Sequence, residues 1–320
     1  MKKILLLISA VAAVMTAGSC QKEIAYLEGD TAVSFEITTG DIATRAIADG
    51  TNITVLHWEL YGTNDLRTAA KPYGEGTIVE NDGNKKFIVP LRLVADQDYT
   101  IIFWAETKEG AKHYETSDLR LVRVKTYTDE MANDESRAAF CYRYSFRTEN
   151  GVEIKEEISL KRPFAQINLG AKTLETSLNL VNGGIVQVKS TSMTVSDVAN
   201  AFNTIDGVGV KVDDFKGQVT FQAAPTPNGK KDYTEQILVA NGENTYYWLG
   251  MNYLIMVGDK NITDVDVTLN TNMGTVNHKI GDVPIQENFR TNILGDFLTT
   301  GAQFEVKVDE KFINDINKFI

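Results

Sequence analysis

The stretch Thr31-Ala32-Val33-Ser34-Phe35-Glu36-Ile37-Thr38 decides how this 320-residue chain is read. Val33, Phe35 and Ile37 fall on one face, and Ser34, Glu36 and Thr38 on the other. Side chains alternate across a strand, so this period of two predicts a half-buried β-strand. Upstream, Lys2 and Lys3 precede the apolar run Ile4-Leu5-Leu6-Leu7-Ile8, and small residues then lead to Ala17-Gly18-Ser19-Cys20. A basic start, a short apolar run and a small-residue cleavage site read as a secretory signal rather than a membrane span. The Cys that directly follows reads as a bacterial lipobox, with Cys20 as the acylated first residue. Downstream, Thr44-Arg45-Ala46 sets a single Arg between small residues, where a trypsin-like protease can cut between Arg45 and Ala46. Lipid, strand and cut site in that order predict a strand that is held temporarily and later removed.

Composition narrows the classes. Apolar residues at 43% and charged residues at 23% are those of a globular protein. About 300 residues remain after the signal, enough for one large or two ordinary domains. The net charge of −11, without a basic cluster, argues against nucleic acid and against anionic membrane surfaces as partners. No later apolar run approaches the length that spans a bilayer, so attachment would be through lipid. Several acyl chains anchor firmly where one does not, so a lipidated precursor stays on a membrane until the peptide is cut. Cys141 is the other of the two cysteines, and two are not a disulfide framework.

Most of the remainder reads as strand. Asn52 to Tyr61, Lys85 to Val94, Tyr99 to Trp104, Phe140 to Phe146, Val152 to Leu160 and Phe164 to Leu169 are β-branched, aromatic or alternating. Asn81-Asp82-Gly83-Asn84 predicts a hairpin joining Thr77–Glu80 to Lys85–Val94, because Asp-Gly accepts positive φ at low cost. Asp129 to Ala139 is the one predicted short helix of this half. The second half continues with candidates at 185–195, 217–222, 236–240, 246–256, 265–269, 275–280 and 303–308. Short strands with Gly, Asn and Asp turns every 8–12 residues indicate two β-sandwiches in tandem. Leu160-Lys161-Arg162-Pro163 places the boundary near 157–165.

Motifs for chemistry are sparse. His57, His113 and His278 sit in no metal-ligand spacing, so no metal site is expected. Gly207-Val208-Gly209 lacks the βαβ context of a nucleotide loop and reads as a turn. Cys141, among aromatics in an alternating strand, reads as a buried inert thiol. Asp213-Asp214 and Glu156-Glu157 are sequence neighbours that a strand sends to opposite faces, so they read as solvated charges. Tyr246-Tyr247-Trp248 and Tyr142/Tyr144 offer a sugar-stacking platform, with core and cross-strand packing as the competing role. No catalytic residue and no cofactor is expected. A surface-anchored glycan-binding lipoprotein that is not polymerised is the alternative function.

Several segments resemble the fimbrillin family of Bacteroidales, which comprises pilins and pilus accessory proteins made as lipoprotein precursors. Val283-Pro284-Ile285-Gln286-Glu287-Asn288-Phe289-Arg290-Thr291-Asn292-Ile293-Leu294-Gly295 carries the resemblance most clearly. Leu160 to Ile167 and Val198 to Gly207 carry it elsewhere. The resemblance implies an all-β protein of two tandem transthyretin-like β-sandwich domains with a removable N-terminal strand. It implies a signal peptide over 1–19, a lipidated pro-segment over 20–45, an N-terminal sandwich over 46–160 and a C-terminal sandwich with a short tail over 161–320. The implied function is a structural or adhesive subunit of cell-surface fimbriae, at the tip or in the stalk, located at the bacterial outer membrane. An Arg-directed protease would remove the segment carrying Val33, Phe35 and Ile37, and a strand from another fimbrial subunit would fill the exposed sheet edge. A host or bacterial surface ligand is the further partner. The tail departs from a donor strand: Phe312, Ile313, Ile316, Phe319 and Ile320 follow helical spacing, so either the tail changes conformation on assembly or this is a tip or accessory subunit that accepts a strand and does not donate one.

Overall fold

The computed structural model describes residues 25–26, 29–39, 53–80, 86–125, 127, 133–172, 175–177, 185–223, 236–238, 245–299 and 304–309. Among these the chain is strand throughout, interrupted by turns and three short 3-10 helices. Ile53–Gly62 and Asp98–Thr107 form long strands because β-branched and aromatic residues fit a pleated surface that is covered on both sides. Asp98–Thr107 is buried at every position after its first.

Two sheets enclose the first core. One runs in the order Gly74–Val79, Ile53–Gly62, Asp98–Thr107, Ala139–Arg147, all antiparallel. The other runs Ala25–Tyr26, Lys86–Leu93, Thr31–Thr38, Ile154–Ser159. Phe35, Val89, Leu91 and Ile158 of the second sheet share a core with Leu56, Trp58, Ile101 and Phe103 of the first. The second core lies between two further sheets. Their central strands are Ala165–Ala171, flanked by Thr245–Met256 and Arg290–Gly295, and Ile185–Ser196, flanked by Gln218–Ala223 and Ile262–Thr271. Along the chain the buried residues change from the first core to the second between Phe164 and Ala165, although Ala199, Phe202, Met251 and Tyr253 return to the first.

A small fifth sheet joins the halves. Leu121–Val124 pairs with Tyr114–Glu115 on one side and with Ala201–Asn203 on the other, and Val208–Val210 completes it. Around this joint Arg67 pairs with Asp206, Arg123 with Asp213, and the Arg143 guanidinium donates to the Ile205 carbonyl. The Asn133 amide donates to the Met251 carbonyl at 2.8 Å, and the Met251 amide donates to Asn133 Oδ1 at 2.7 Å.

Two sequence-based expectations are corrected. Of the helix over 129–139, only the 3-10 turn Glu135–Arg137 forms, and residues 129–132 lie outside the described set. Asn133 sits at φ 61° bonded to Met251, and the Asp134 carboxylate accepts from the Ser136 amide at 3.0 Å, so local bonds bend the chain instead of coiling it. The hairpin around Asp82-Gly83 also does not form. Gly74–Val79 pairs with Ile53–Gly62, whereas Lys86–Leu93 lies in the opposite sheet, its neighbour positions taken by Thr31–Thr38 and Ala25–Tyr26. Residues 81–85 lie outside the described set, and the separation of the two strands into opposite sheets is a choice that turn chemistry cannot express.

Gly209 is a point of close backbone approach between the joint and the second half. It bridges to Gly258, and a Cβ on Gly209 would stand 2.0 Å from the Met256 carbonyl oxygen, a backbone atom that cannot rotate away. Gly209→Ala should therefore destabilise the protein by about 1–3 kcal/mol, as overpacking does. Urea unfolding is the measurement, and an unchanged midpoint would contradict the close approach.

Candidate functional site

The site with the clearest architecture is the position occupied by Thr31–Thr38. Its burial alternates along all eight residues, with Val33 2% exposed and Phe35 and Ile37 fully buried. The Phe35 ring meets Phe103, Tyr144 and Phe146 edge-on at centroid distances of 5.6, 6.0 and 5.3 Å, the arrangement that aromatic quadrupoles favour. Outward, Glu36 pairs with Lys86.

The strand is central in its sheet, which corrects the expectation of an edge. On one side it runs antiparallel to Lys86–Leu93, from Thr31↔Leu93 to Thr38↔Lys86. On the other it runs parallel to Ile154–Ser159, from Val33↔Ile154 to Thr38↔Ser159. The Leu160 amide extends this second ladder by donating to the Thr38 carbonyl at 2.8 Å. Gly29, just upstream, presses on the same wall: a Cβ there would fall 2.0 Å from the Leu93 carbonyl carbon. Ala25–Tyr26 then pairs parallel with the outer side of Lys86–Leu93. The N-terminal segment thus grips one strand from both sides. The sequence marks both walls of this slot as strands but not their pairing with Thr31–Thr38, and it gives no sign of the Ala25–Tyr26 strand, since two residues carry no periodicity and pairing partners leave no local mark.

Cys20, Arg45, Ala46 and the tail 310–320 lie outside the described residues. The strand ahead of that tail, Phe304–Asp309, pairs with Arg290–Gly295 at the end of its sheet. The histidines stay apart. His57 bonds Thr77 Oγ1 at 2.9 Å and Glu106 at 3.3 Å, His113 meets Ser136 Oγ at 2.7 Å, and His278 meets the Phe297 carbonyl at 2.8 Å. Burial holds His113 below the ordinary histidine value. No group of three or more His, Cys, Asp or Glu that could hold a metal occurs among the described residues. Cys141 is half-buried, with its thiol pushed up by desolvation.

Two buried carboxylates act as braces. Glu59 Oε2 accepts from the Tyr61 hydroxyl at 2.6 Å and from the Leu119 amide at 3.0 Å, and desolvation raises its carboxyl above the usual range. Glu106 Oε2 accepts from the Trp104 indole at 3.0 Å. Tyr246 is buried, and Tyr142 and Tyr144 extend from a strand that pairs with Asp98–Thr107. Tyr144 is half-buried and packs edge-on against Phe35, facing the core rather than offering a free stacking surface.

Motifs far apart in sequence meet at the joint. Asn288 donates its amide to the Phe164 carbonyl at 2.8 Å, and Gln166 donates its own to the Phe289 carbonyl at 2.9 Å. Arg290 Nε donates to Gln166 Oε1 at 2.7 Å, and Asn168 Nδ2 to Asn292 Oδ1 at 2.8 Å. Val198 to Gly207 supplies the fifth sheet's crossing strand.

These features define an all-β protein of packed sheets, one of which is completed by the chain's own N-terminal strand. The chain belongs to the family of unknown function DUF6562, whose model matches residues 28–319. No curated protein matches it. A candidate cell adhesion protein of Bacteroides eggerthii shares the fold at 11% identity and a TM-score of 0.52, over 88% of this chain and 96% of that one. A candidate cell adhesion protein of Bacteroides uniformis does so at 12% identity and 0.51, over 87% and 97%. The fimbrial anchor protein Mfa2 of Porphyromonas gingivalis aligns at 10% identity and 0.48, over 88% and 97%.

Phe35→Ala removes a fully buried ring from between two sheets and should cost the full chain about 3–5 kcal/mol. Glu36→Ala, one residue away on the outward face, should leave the melting temperature nearly unchanged. Equal shifts for the two variants would contradict the assigned faces.

Proposed function

We propose that this protein is a structural or adhesive subunit of bacterial cell-surface fimbriae, exported as a lipoprotein acylated at Cys20 and matured by cleavage between Arg45 and Ala46. Loss of the segment 20–45 takes Val33, Phe35 and Ile37 away, and a strand from another fimbrial subunit takes their place. The single observation that carries this reading is the seat of Thr31–Thr38, bonded on both sides and buried beneath. An empty seat of that kind offers two rows of unpaired backbone groups over an apolar floor, which is a template for strand addition. The adhesion descriptions of the two proteins that share the fold accord with it. In this reading 46–160 and 161–320 are the two domains of the mature subunit.

The cut matters because of tethering. While attached, the resident strand competes at an effective concentration in the millimolar range, on the order expected for a short flexible linker. Cleavage turns it into a peptide that dilutes once it dissociates. Arg45→Ala should leave an acylated precursor that enters no high-mass surface species on unboiled gels, while the wild-type surface form should begin at Ala46 by mass spectrometry. Cys20→Ser should abolish incorporation of labelled palmitate. Equal incorporation of Arg45→Ala protein into fimbriae with its N-terminal segment still attached would overturn the reading.

A further inference from the structure

Every ladder in the sheet Ala25–Tyr26, Lys86–Leu93, Thr31–Thr38, Ile154–Ser159 runs through the N-terminal segment, among the described residues. Among the described residues, Lys86–Leu93 pairs as a strand only with Ala25–Tyr26 and Thr31–Thr38, and Ile154–Ser159 only with Thr31–Thr38. Departure of the segment therefore dissolves the sheet and leaves two lone strands over an apolar floor. Unpaired backbone groups at such a position are costly, and a space lined by Phe103, Tyr144 and Phe146 invites collapse.

The remaining strands are arranged to solve this themselves. Lys86–Leu93 is antiparallel to Thr31–Thr38, which is parallel to Ile154–Ser159, so the two walls are antiparallel to each other. Their registers also agree. Val33 faces Leu91 and Ile154, Phe35 faces Val89 and Glu156, and Ile37 faces Phe87 and Ile158. A sideways move by one strand spacing would bring each of these outer pairs together with the same faces inward and no slip in register. Resting on the removal of residues 20–45, we propose that Ile154–Ser159 closes the vacated slot by pairing directly with Lys86–Leu93, so that the mature subunit waits in a closed state that an incoming strand must reopen.

Two features shape this closed state. Gly151, at φ 74° with open space around its Cβ position, supplies a turn ahead of the moving strand, and the Cys141–Lys161 bridge holds the chain just beyond it. Glu156 is the polar residue on an inner face otherwise carried by Ile154 and Ile158. Closure sets Glu156 against Val89, where Thr31–Thr38 offers Phe35 instead. A strand with an apolar residue at that position therefore displaces the closed pairing, and the device opens for a matching partner.

The test is a disulfide between Ile88→Cys and Glu157→Cys. Both positions are exposed, and Glu36 separates them in the intact chain. Two strand spacings, roughly 10 Å, cannot be bridged, whereas directly opposed residues at about 4.5–5.5 Å can. The full chain carries Cys20→Ser and a specific protease site within 41–52, so the outcome does not depend on whether Arg45 is the natural cut. After cutting, the segment is removed by gel filtration in dilute denaturant, and its loss is verified by mass. Expected are no disulfide before the cut, near-complete disulfide after removal, and its suppression by added Thr31–Thr38 peptide. Amides of Ile154–Ser159 should also remain protected from exchange in the excised protein without the cysteines. Unprotected amides, absence of the disulfide after removal, or unfolding of the excised protein would each overturn the closure.

Discussion

One strand satisfies two rows of backbone hydrogen bonds and fills the centre of a core at once. Thr31–Thr38 is the interaction on which the first sheet pair depends, because among the described residues Ile154–Ser159 has no other partner strand in that sheet and Lys86–Leu93 has only Ala25–Tyr26, from the same N-terminal segment. Backbone groups are obligatory partners wherever water is excluded, so one strand holds the two on either side of it in the sheet. The aromatic contacts of Phe35 tie that strand to the opposite sheet.

The rest of the molecule is braced against such a change. The opposite sheet, Gly74–Val79 to Ala139–Arg147, has its own complete antiparallel ladders and is buried on its far side by Tyr114, Phe164 and Tyr253. Leu121–Val124 threads that covering layer into the second half through Ala201–Asn203. Buried polar groups serve the same purpose: Glu59 ties the crossing loop at Leu119 to a central strand, and Asn133 fastens the chain to Met251. Each is a satisfied polar contact in a desolvated place, where an unmatched group would be expensive and a matched one specifies a single arrangement. The segments that resemble fimbrillins converge on this joint, so their spacing records a packing requirement.

The family model spans nearly the whole chain and carries no function, and the structures that share the fold do so at 11% and 12% identity. At that distance side chains have been replaced almost throughout while the layered sheets persist. Functional reasoning therefore rests on what this chain's own geometry makes possible: a sheet completed from the N-terminus, with the elements on either side placed to respond when it is not.

The sequence by itself determined the element types. Alternation in 31–38 and the continuous apolar run at 99–104 reflect local side-chain periodicity against a pleated backbone, and both strands form where that periodicity lies. The lipidation and cleavage readings at Cys20 and Arg45 rest on sequence alone, and both positions lie outside the described residues. Tertiary structure alone decided partners. The Asp-Gly turn signal was real chemistry, yet the strands on either side went to opposite sheets because other segments already held the neighbouring positions. Within the described part of 129–139, from Asn133 onward, the helix signal yielded to hydrogen bonds with Met251, far along the chain. The central seat of Thr31–Thr38 was equally unreadable, since a strand buried on one face looks the same at the edge of a sheet as within it. Periodicity reports which face is buried; which strand lies alongside is settled by long-range pairing, and that leaves no trace in the neighbouring residues.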